Sequence, residues 1–569
     1  MGQKSKYERA PIHPSFIVII HSFINANASG DDTRRHATPR AFAMECVRAR
    51  SPSFASIARD RSEKVDVHAT TTLELGASTP CARARSDAHT RDAREVKLVV
   101  DRDFALYLGG STWALDWRST SHGVNVLACD ARASGHHEHA RASAGTCAGR
   151  GVIFVVSVSE DGVVISSAHE HGAGCCVDVK WDARGDAFAT SEGEGALGVA
   201  LGNGKVEVWI VRLANQGRGN GENERRTVFR GAAPRAYGGV TCLDWNRVVP
   251  GRLAAGYSSG NVVVWDIVSD SRGEGDAVKA PTFVIAAAAH AGPCRCVAWA
   301  PEDYSSDASA SANVFACASD YTTKPHLFDL RSPFAPIGDV FERGQGWMTS
   351  LTWLPRGSLV AGFDGGDRSS AKDVKGGKRQ KLAMSAKASV HQFDFTTSES
   401  SLQTTYVGVP GRGTAWCVDA RPSPRPESAS AMVACATSNG VVCVKPMRYV
   451  SKRLRAASAN VFETCGGLAA YDAEAGRRLA TNPVDAPTCF DFITSDDGVS
   501  WEDELYPPLA VARPGTRDAP TTAQHRARWS RGGDEWWLAS AGEAGFLRLQ
   551  RFDAKSIVDA LDALDAANA

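Results

Sequence analysis

Thr241-Cys-Leu-Asp-Trp245, and then Leu253-Ala-Ala-Gly-Tyr-Ser-Ser-Gly-Asn-Val-Val-Val-Trp265 with Asp266 behind it, is the part of the sequence from which the fold can be read. The first run alternates and closes on Trp245. The second is built of small and apolar residues up to Gly260, and a third run then alternates to Trp265. A period of two marks half-buried strands, and a glycine between two such runs supplies the positive φ of a tight reversal. Three consecutive antiparallel strands ending in a Trp-Asp pair are expected.

Outward from this unit the pattern returns. First strands of the same kind are Trp113-Ala-Leu-Asp-Trp117, Val177-Asp-Val-Lys-Trp181, Arg295-Cys-Val-Ala-Trp299 and Ser350-Leu-Thr-Trp353. Their closing residues Trp117, Trp181, Trp245, Trp299 and Trp353 are separated by 64, 64, 54 and 54 residues. The second and third strands recur from Leu197 to Trp209, from Val433 to Val444 and from Leu538 to Leu549, with Gly204, Gly440 and Gly545 at the reversals. Units of about 40–45 residues with four short strands and a Trp-Asp signature mark a WD40 β-propeller, here with its period stretched by loops. A β-sandwich does not return one three-strand pattern at a fixed interval. The expected fold is all-β: a seven-bladed WD40 β-propeller with a disordered N-terminal extension and long loop insertions. Blades are placed around 105–168, 171–213, 237–268, 289–332, 345–396, 413–447 and 526–552. An open ring would expose sheet edges, so a strand from 95–108 is expected to close it against the last blade.

Composition agrees with a large globular domain. Lys plus Arg and Asp plus Glu each number 64, so the chain has no net charge and any affinity for nucleic acid must come from local patches. The charge is uneven, since residues 1–90 hold 13 basic against 9 acidic side chains. Residues 1–95 show no sustained period and read as a disordered or targeting-like extension. The apolar run Phe16–Ile20 is far too short to span a bilayer, which needs about 20 residues, and no membrane association is expected. The propeller is placed at 96–552, with a basic insertion at 364–388 and a long insertion at 453–527. A short amphipathic helix at 553–569 puts Ile557, Leu561 and Leu564 on one face. The fifteen cysteines are scattered, and none stands two residues from another as zinc-binding pairs do. They read as small core residues in a reducing compartment.

No catalytic constellation is visible. The sequence lacks a phosphate loop ending in Lys-Ser/Thr, a His-Glu-x-x-His and a Gly-x-Ser-x-Gly elbow. Gly217-Arg-Gly-Asn-Gly-Glu lies in a polar insertion rather than between a strand and a helix, where a dinucleotide site would need it. No enzyme, cofactor, metal or small-molecule substrate is expected. His171 and His290 precede first strands where WD40 repeats often carry a Gly-His pair, and the resemblance implies structural bonds to Asp and Ser or Thr in the same blade.

Two basic runs stand out. Residues 367–387 carry a net charge of +5 and include Lys378, Arg379 and Lys381, which read as a nuclear import signal or a phosphate contact. After the sixth unit, Lys445, Arg448, Lys452, Arg453 and Arg455 come without an acid among them and are expected on the rim, facing nucleic acid or an acidic partner.

The fourth unit narrows the resemblance. Ala289-His-Ala-Gly-Pro-Cys-Arg-Cys-Val-Ala-Trp299, Ala316-Cys-Ala-Ser-Asp320 and Leu327-Phe-Asp-Leu-Arg-Ser-Pro-Phe-Ala-Pro-Ile337 resemble the WD40 subunit of general transcription factor IIIC, polypeptide 2-like. Cys242 to Ile267, Gly411-Arg-Gly-Thr-Ala-Trp416 and Lys445-Pro-Met-Arg448 are similar too, so the likeness spans roughly 170–455. It implies a nuclear, non-catalytic scaffold that meets the other IIIC subunits, touches DNA mainly through the complex, and supports RNA polymerase III transcription of tRNA genes. Departures are Phe328 where a Trp is usual, Ala420 at a first-strand Trp position, and residues 1–95. Phe328-Asp329-Leu330-Arg331 also approximates the Trp-Asp-x-Arg box of WD40 substrate receptors of cullin-type ubiquitin ligases, where Asp329 and Arg331 would dock the adaptor.

Overall fold

Seven antiparallel sheets form, one from each return of the pattern. The computed structural model describes Ile17–Ile20, Ser78–Pro80 and Leu98–Ala566, the last without a set of loop segments, the largest being 133–141, 214–224, 268–277, 338–347, 364–386, 449–461 and 495–521. The innermost strands, in blade order, are Leu115–Arg118, Cys176–Trp181, Val240–Trp245, Cys294–Trp299, Met348–Trp353, Ala415–Pro422 and Gln524–Trp529. Each touches the next, and the last touches the first, which closes a seven-bladed β-propeller.

Closure follows the expected route. Val100–Tyr107 pairs antiparallel with Phe546–Phe552 and becomes the outer strand of blade seven, so the two ends of the ring interlock within one sheet. Side chains between neighbouring sheets make the core, which passes from blade to blade rather than lying in one layer. Trp245, Tyr257 and Trp265 of blade three, for example, bury against Val206, Val208 and Ile210 of blade two.

In six of the seven blades the inner strand contains a register shift near its start, as between Val240 and Cys242 or between Ala415 and Cys417. Such bulges tighten the local twist. Inner strands all begin on one side of the ring, here called the near side, where the turns between second and third strands and the crossings between blades also lie. They end on the far side.

Three expectations need correction. Fourth strands extend blades beyond the expected limits, as Arg225–Gly231 does in blade two and Gln403–Arg412 in blade five. The insertion expected as a loop at 453–527 holds Glu463–Asp472, Arg477–Arg478 and Thr488–Thr494, which continue the sixth sheet outward. Within the extension expected to be disordered, Ile17–Ile20 pairs with Thr488–Thr494 and Ser78–Pro80 with Val100–Tyr107. All of these are edge additions, for which the hydrogen-bonding groups of an existing strand, more than a strong pattern in the added segment, provide the template. Among the described residues blade four has three strands.

After Phe552 the chain turns into the helix Ala554–Ala566. Ile557 and Leu561 are fully buried with Met432 of blade six and Trp536 of blade seven, so the helix caps both blades on the far side.

Candidate interaction surfaces

The repeat tryptophans join blades. The indole Nε1 of Trp117 donates to Arg528 O (2.8 Å), Trp245 to Lys180 O (2.9 Å), Trp299 to Asp244 O (3.1 Å) and Trp353 to Ala298 O (3.0 Å). Each bond runs back to the preceding blade. Carboxylates run the other way: Asp116 accepts Trp181 N (2.9 Å), Asp178 accepts Leu243 N (2.9 Å), Asp244 accepts Trp299 N (2.8 Å) and Asp419 accepts Trp529 N (2.8 Å). Ser350 Oγ accepts Val418 N at the remaining junction (3.0 Å).

These acids belong to a buried charge belt with Lys180, Arg528 and Arg531. Arg531 lies 2.6 Å and Arg528 3.3 Å from Asp419, and Lys180 lies 3.9 Å from Asp116. Burial pushes the carboxyls of Asp116 and Asp244 above their ordinary range. At Asp419 burial acts in the same sense, but Arg531 and Arg528 outweigh it and hold the carboxyl below that range. Sequence reading passed over this belt. Its only signal is a charged residue just before the closing Trp in several first strands.

Trp265 is buried, and Asp266 pairs with Arg252 directly across the sheet (2.5 Å). His171 makes a different bond from the one implied by the resemblance: its Nδ1 accepts Ala173 N (3.3 Å) and its ring lies 6.3 Å from that of Trp209. The Ser–His bond of that blade belongs to His169, whose Nε2 lies 2.9 Å from Ser167 Oγ. Burial, with Arg225 adding, lowers both imidazoles to about 4, so they are neutral structural groups at neutral pH. His290 lies outside the described residues.

On the far side of blade four, Asp329 takes the guanidinium of Arg331 in a fork (Nε 3.0 Å, Nη2 2.5 Å) and also accepts its backbone N–H (2.9 Å). Asp307 stands 3.8 Å from the same guanidinium, half of which remains exposed (49%). The turn that follows presents Phe334, 96% exposed. An aromatic so open beside an arginine has the composition of a protein-contact hot spot. Phe328, in the place of the usual Trp, is buried against Phe315, their ring centroids 5.7 Å apart.

Lys378, Arg379, Lys381, Lys452, Arg453 and Arg455 lie outside the described residues. The strands that flank them still fix the sides they start from. The run 367–387 joins Ser358–Phe363 to Lys387–Asp394, a second-to-third-strand connection, and so leaves from the near side. The second run follows Val441–Arg448, a third strand, and leaves from the far side. Arg448 itself is mostly buried there, with Nη1 3.5 Å from Asp565 of the C-terminal helix. The two runs expected to share one role therefore start on opposite sides of the ring, and the far one starts among acids.

Fold and surfaces together define a WD40-like β-propeller, a class that typically serves as a non-catalytic scaffold for protein–protein contact. Compared with known protein families and with curated proteins, the chain matches no family model and no curated sequence.

Proposed function

We propose that this chain is a scaffold subunit of the transcription factor IIIC complex, acting in the nucleus to support promoter-box recognition and RNA polymerase III transcription of tRNA genes. The observation that carries the reading is the joint order of the motifs in the third, fourth and sixth units, from Cys242 through Leu327–Ile337 to Lys445–Arg448. A rigid disc with several exposed turns suits the role, because it can hold large partners in fixed relation without chemistry of its own. Affinity purification of the tagged full chain from its native cells, read by mass spectrometry, is expected to recover the other IIIC subunits, and depletion is expected to lower tRNA synthesis.

One observation favours a second reading, a WD40 substrate receptor of a cullin-type ligase. Arg331 is held by Asp329 and half-exposed at the end of a blade strand, as a docking arginine would be. Recovery of a cullin adaptor without any IIIC subunit would put this reading first.

A further inference from the structure

On the near side, cations from three segments meet over a floor that has almost no side chains. Residues 144–150, between the second and third strands of blade one, cross onto blade two. There Cys147 N donates to Gly202 O (3.2 Å) and Gly174 N to Gly149 O (2.8 Å), while Ala142, Cys147 and Cys175 bury together. The crossing reaches blade three as well. A Cβ built on Gly145 would stand 3.1 Å from Gly238 O, and one on Gly204 would stand 3.2 Å from the same atom. Gly145, Gly204 and Gly238 have φ of 67°, 83° and 73°, where any other residue is strained. Three backbones are thus packed against one another with glycine at each contact.

Around this floor stand three exposed cations. Arg150 follows the crossing segment, Lys205 ends the turn of blade two, and Arg235 begins the 3-10 turn that leads into blade three, where Gly238 N donates back to Arg235 O (3.0 Å). No acid occurs in 144–150, 202–205 or 235–239. The basic run 367–387 leaves the ring on this same side, whereas exposed acids of the far side include Glu302, Asp303, Asp307, Glu427 and Asp559.

We propose that this shelf binds the phosphate backbone of nucleic acid directly. A strand of phosphates needs regularly placed positive charge and a surface it can approach closely, and it needs no side-chain pockets. The exposed residues of the crossing segment other than Arg150 are Ala144, Thr146, Ala148 and Gly149, which supply no pocket for the side chains of an acidic peptide. The cations stand on hydrogen-bonded turns anchored to three blades, so little ordering is required on binding. The inference goes beyond the proposed function, in which DNA is met mainly through the complex, and it does not depend on membership of that complex.

The test is fluorescence anisotropy of a labelled mixed-sequence duplex with the purified full chain, between about 50 and 200 mM KCl. Replacing Arg150, Lys205 and Arg235 together by Gln is expected to weaken binding several-fold and to reduce the slope of log affinity against log salt by about 2–3, near 0.9 for each phosphate released. The charge-keeping triple Arg150→Lys, Lys205→Arg, Arg235→Lys is expected to bind as the unaltered chain does, which separates lost charge from lost folding. Failure of the unaltered chain to bind at the lowest salt, or an unchanged slope in the Gln triple, would overturn the proposal. So would better displacement by a phosphopeptide than by unlabelled duplex, which would assign the shelf to a protein partner. Loss of binding in the charge-keeping triple while its melting temperature is unchanged would also overturn it.

Discussion

At the scale of the residue, every junction between blades carries at least one bond from a side chain to the neighbouring backbone, indoles reaching back round the ring and carboxylates or Ser350 reaching forward. Tryptophans are legible in a sequence because they recur. Their directional bonding is not, since it depends on which carbonyl the next sheet brings within reach. His525 shows how burial sets chemistry at the junction of blades one, six and seven. Its ring is fully buried, stacks on Trp113 at 3.6 Å and meets Glu543 Oε2 through Nε2 at 3.0 Å. Burial lowers the imidazole to about 4, against the opposing pull of Glu543, with Arg526 and Arg132 adding to the lowering. The fold keeps this His neutral while the unfolded chain protonates it below its ordinary value of about 6.5. Its contribution to stability is therefore complete above pH 6.5 and is lost as pH falls toward 4, up to about 3 kcal/mol. Burial lowers His169, His171 and His391 in the same direction, while the raised carboxyls of Asp116, Asp130 and Asp244 favour the fold on acidification. Comparison with His525→Asn isolates the one group. Urea unfolding at pH 7 and pH 4 is expected to show a smaller acid loss in the variant; parallel profiles would refute the assignment.

At the scale of the element, the closing strand was legible and the outer strands largely were not. Val100-Asp-Arg-Asp-Phe-Ala-Leu-Tyr107 alternates through its second half, and Phe104, Ala105 and Leu106 are buried. The outer strand Arg225-Arg-Thr-Val-Phe-Arg-Gly231 hides its two buried residues among polar neighbours, because an outer strand has less apolar surface to meet. Thr488-Cys-Phe-Asp-Phe-Ile-Thr494 does have a strand's composition, and the polar length around it obscured it. The closing strand also bears two acids of unlike weight. Asp103 takes Arg548 (Nη2 2.5 Å, Nε 2.9 Å), whose guanidinium is 3% exposed and also donates to Gly467 O in blade six. Asp101, 38% exposed, pairs with Arg551 at 2.9 Å. Removing one partner of a buried pair leaves an uncompensated charge and costs about 3–5 kcal/mol; an exposed pair is worth about 0–1 kcal/mol. Asp103→Ala is thus expected to lower unfolding stability several times more than Asp101→Ala. Equal losses in urea titrations would show that the clasp is held by backbone pairing alone.

At the scale of the whole molecule, a closed ring differs from a linear array of the same sheets because it has no terminal blade. Breaking one junction creates two open faces at once, so the remaining junctions do not stand alone as they would in a solenoid with separable repeats. The C-terminal helix tests this, since it lies outside the ring yet spans one junction. Ile557 and Leu561 fill the space between blades six and seven, and Asp565 accepts from Ser428 (2.6 Å) and Ser430 (2.5 Å) of blade six. Truncating a fully buried aliphatic side chain costs about 2–5 kcal/mol. If the ring is one cooperative unit, Ile557→Ala shifts a single unfolding transition for all blades, and hydrogen exchange quickens in the inner strands of blades two to four as much as in those of blades six and seven. If closure contributes nothing, the variant melts in two steps and Val240–Trp245 keeps its protection while Gln524–Trp529 loses it. The two patterns are distinct in one exchange experiment, and the cooperative one is expected because the staples of adjacent junctions share residues: Asp244 bonds both the backbone and the indole of Trp299, and it sits beside Trp245, whose own indole reaches Lys180 O in the preceding blade.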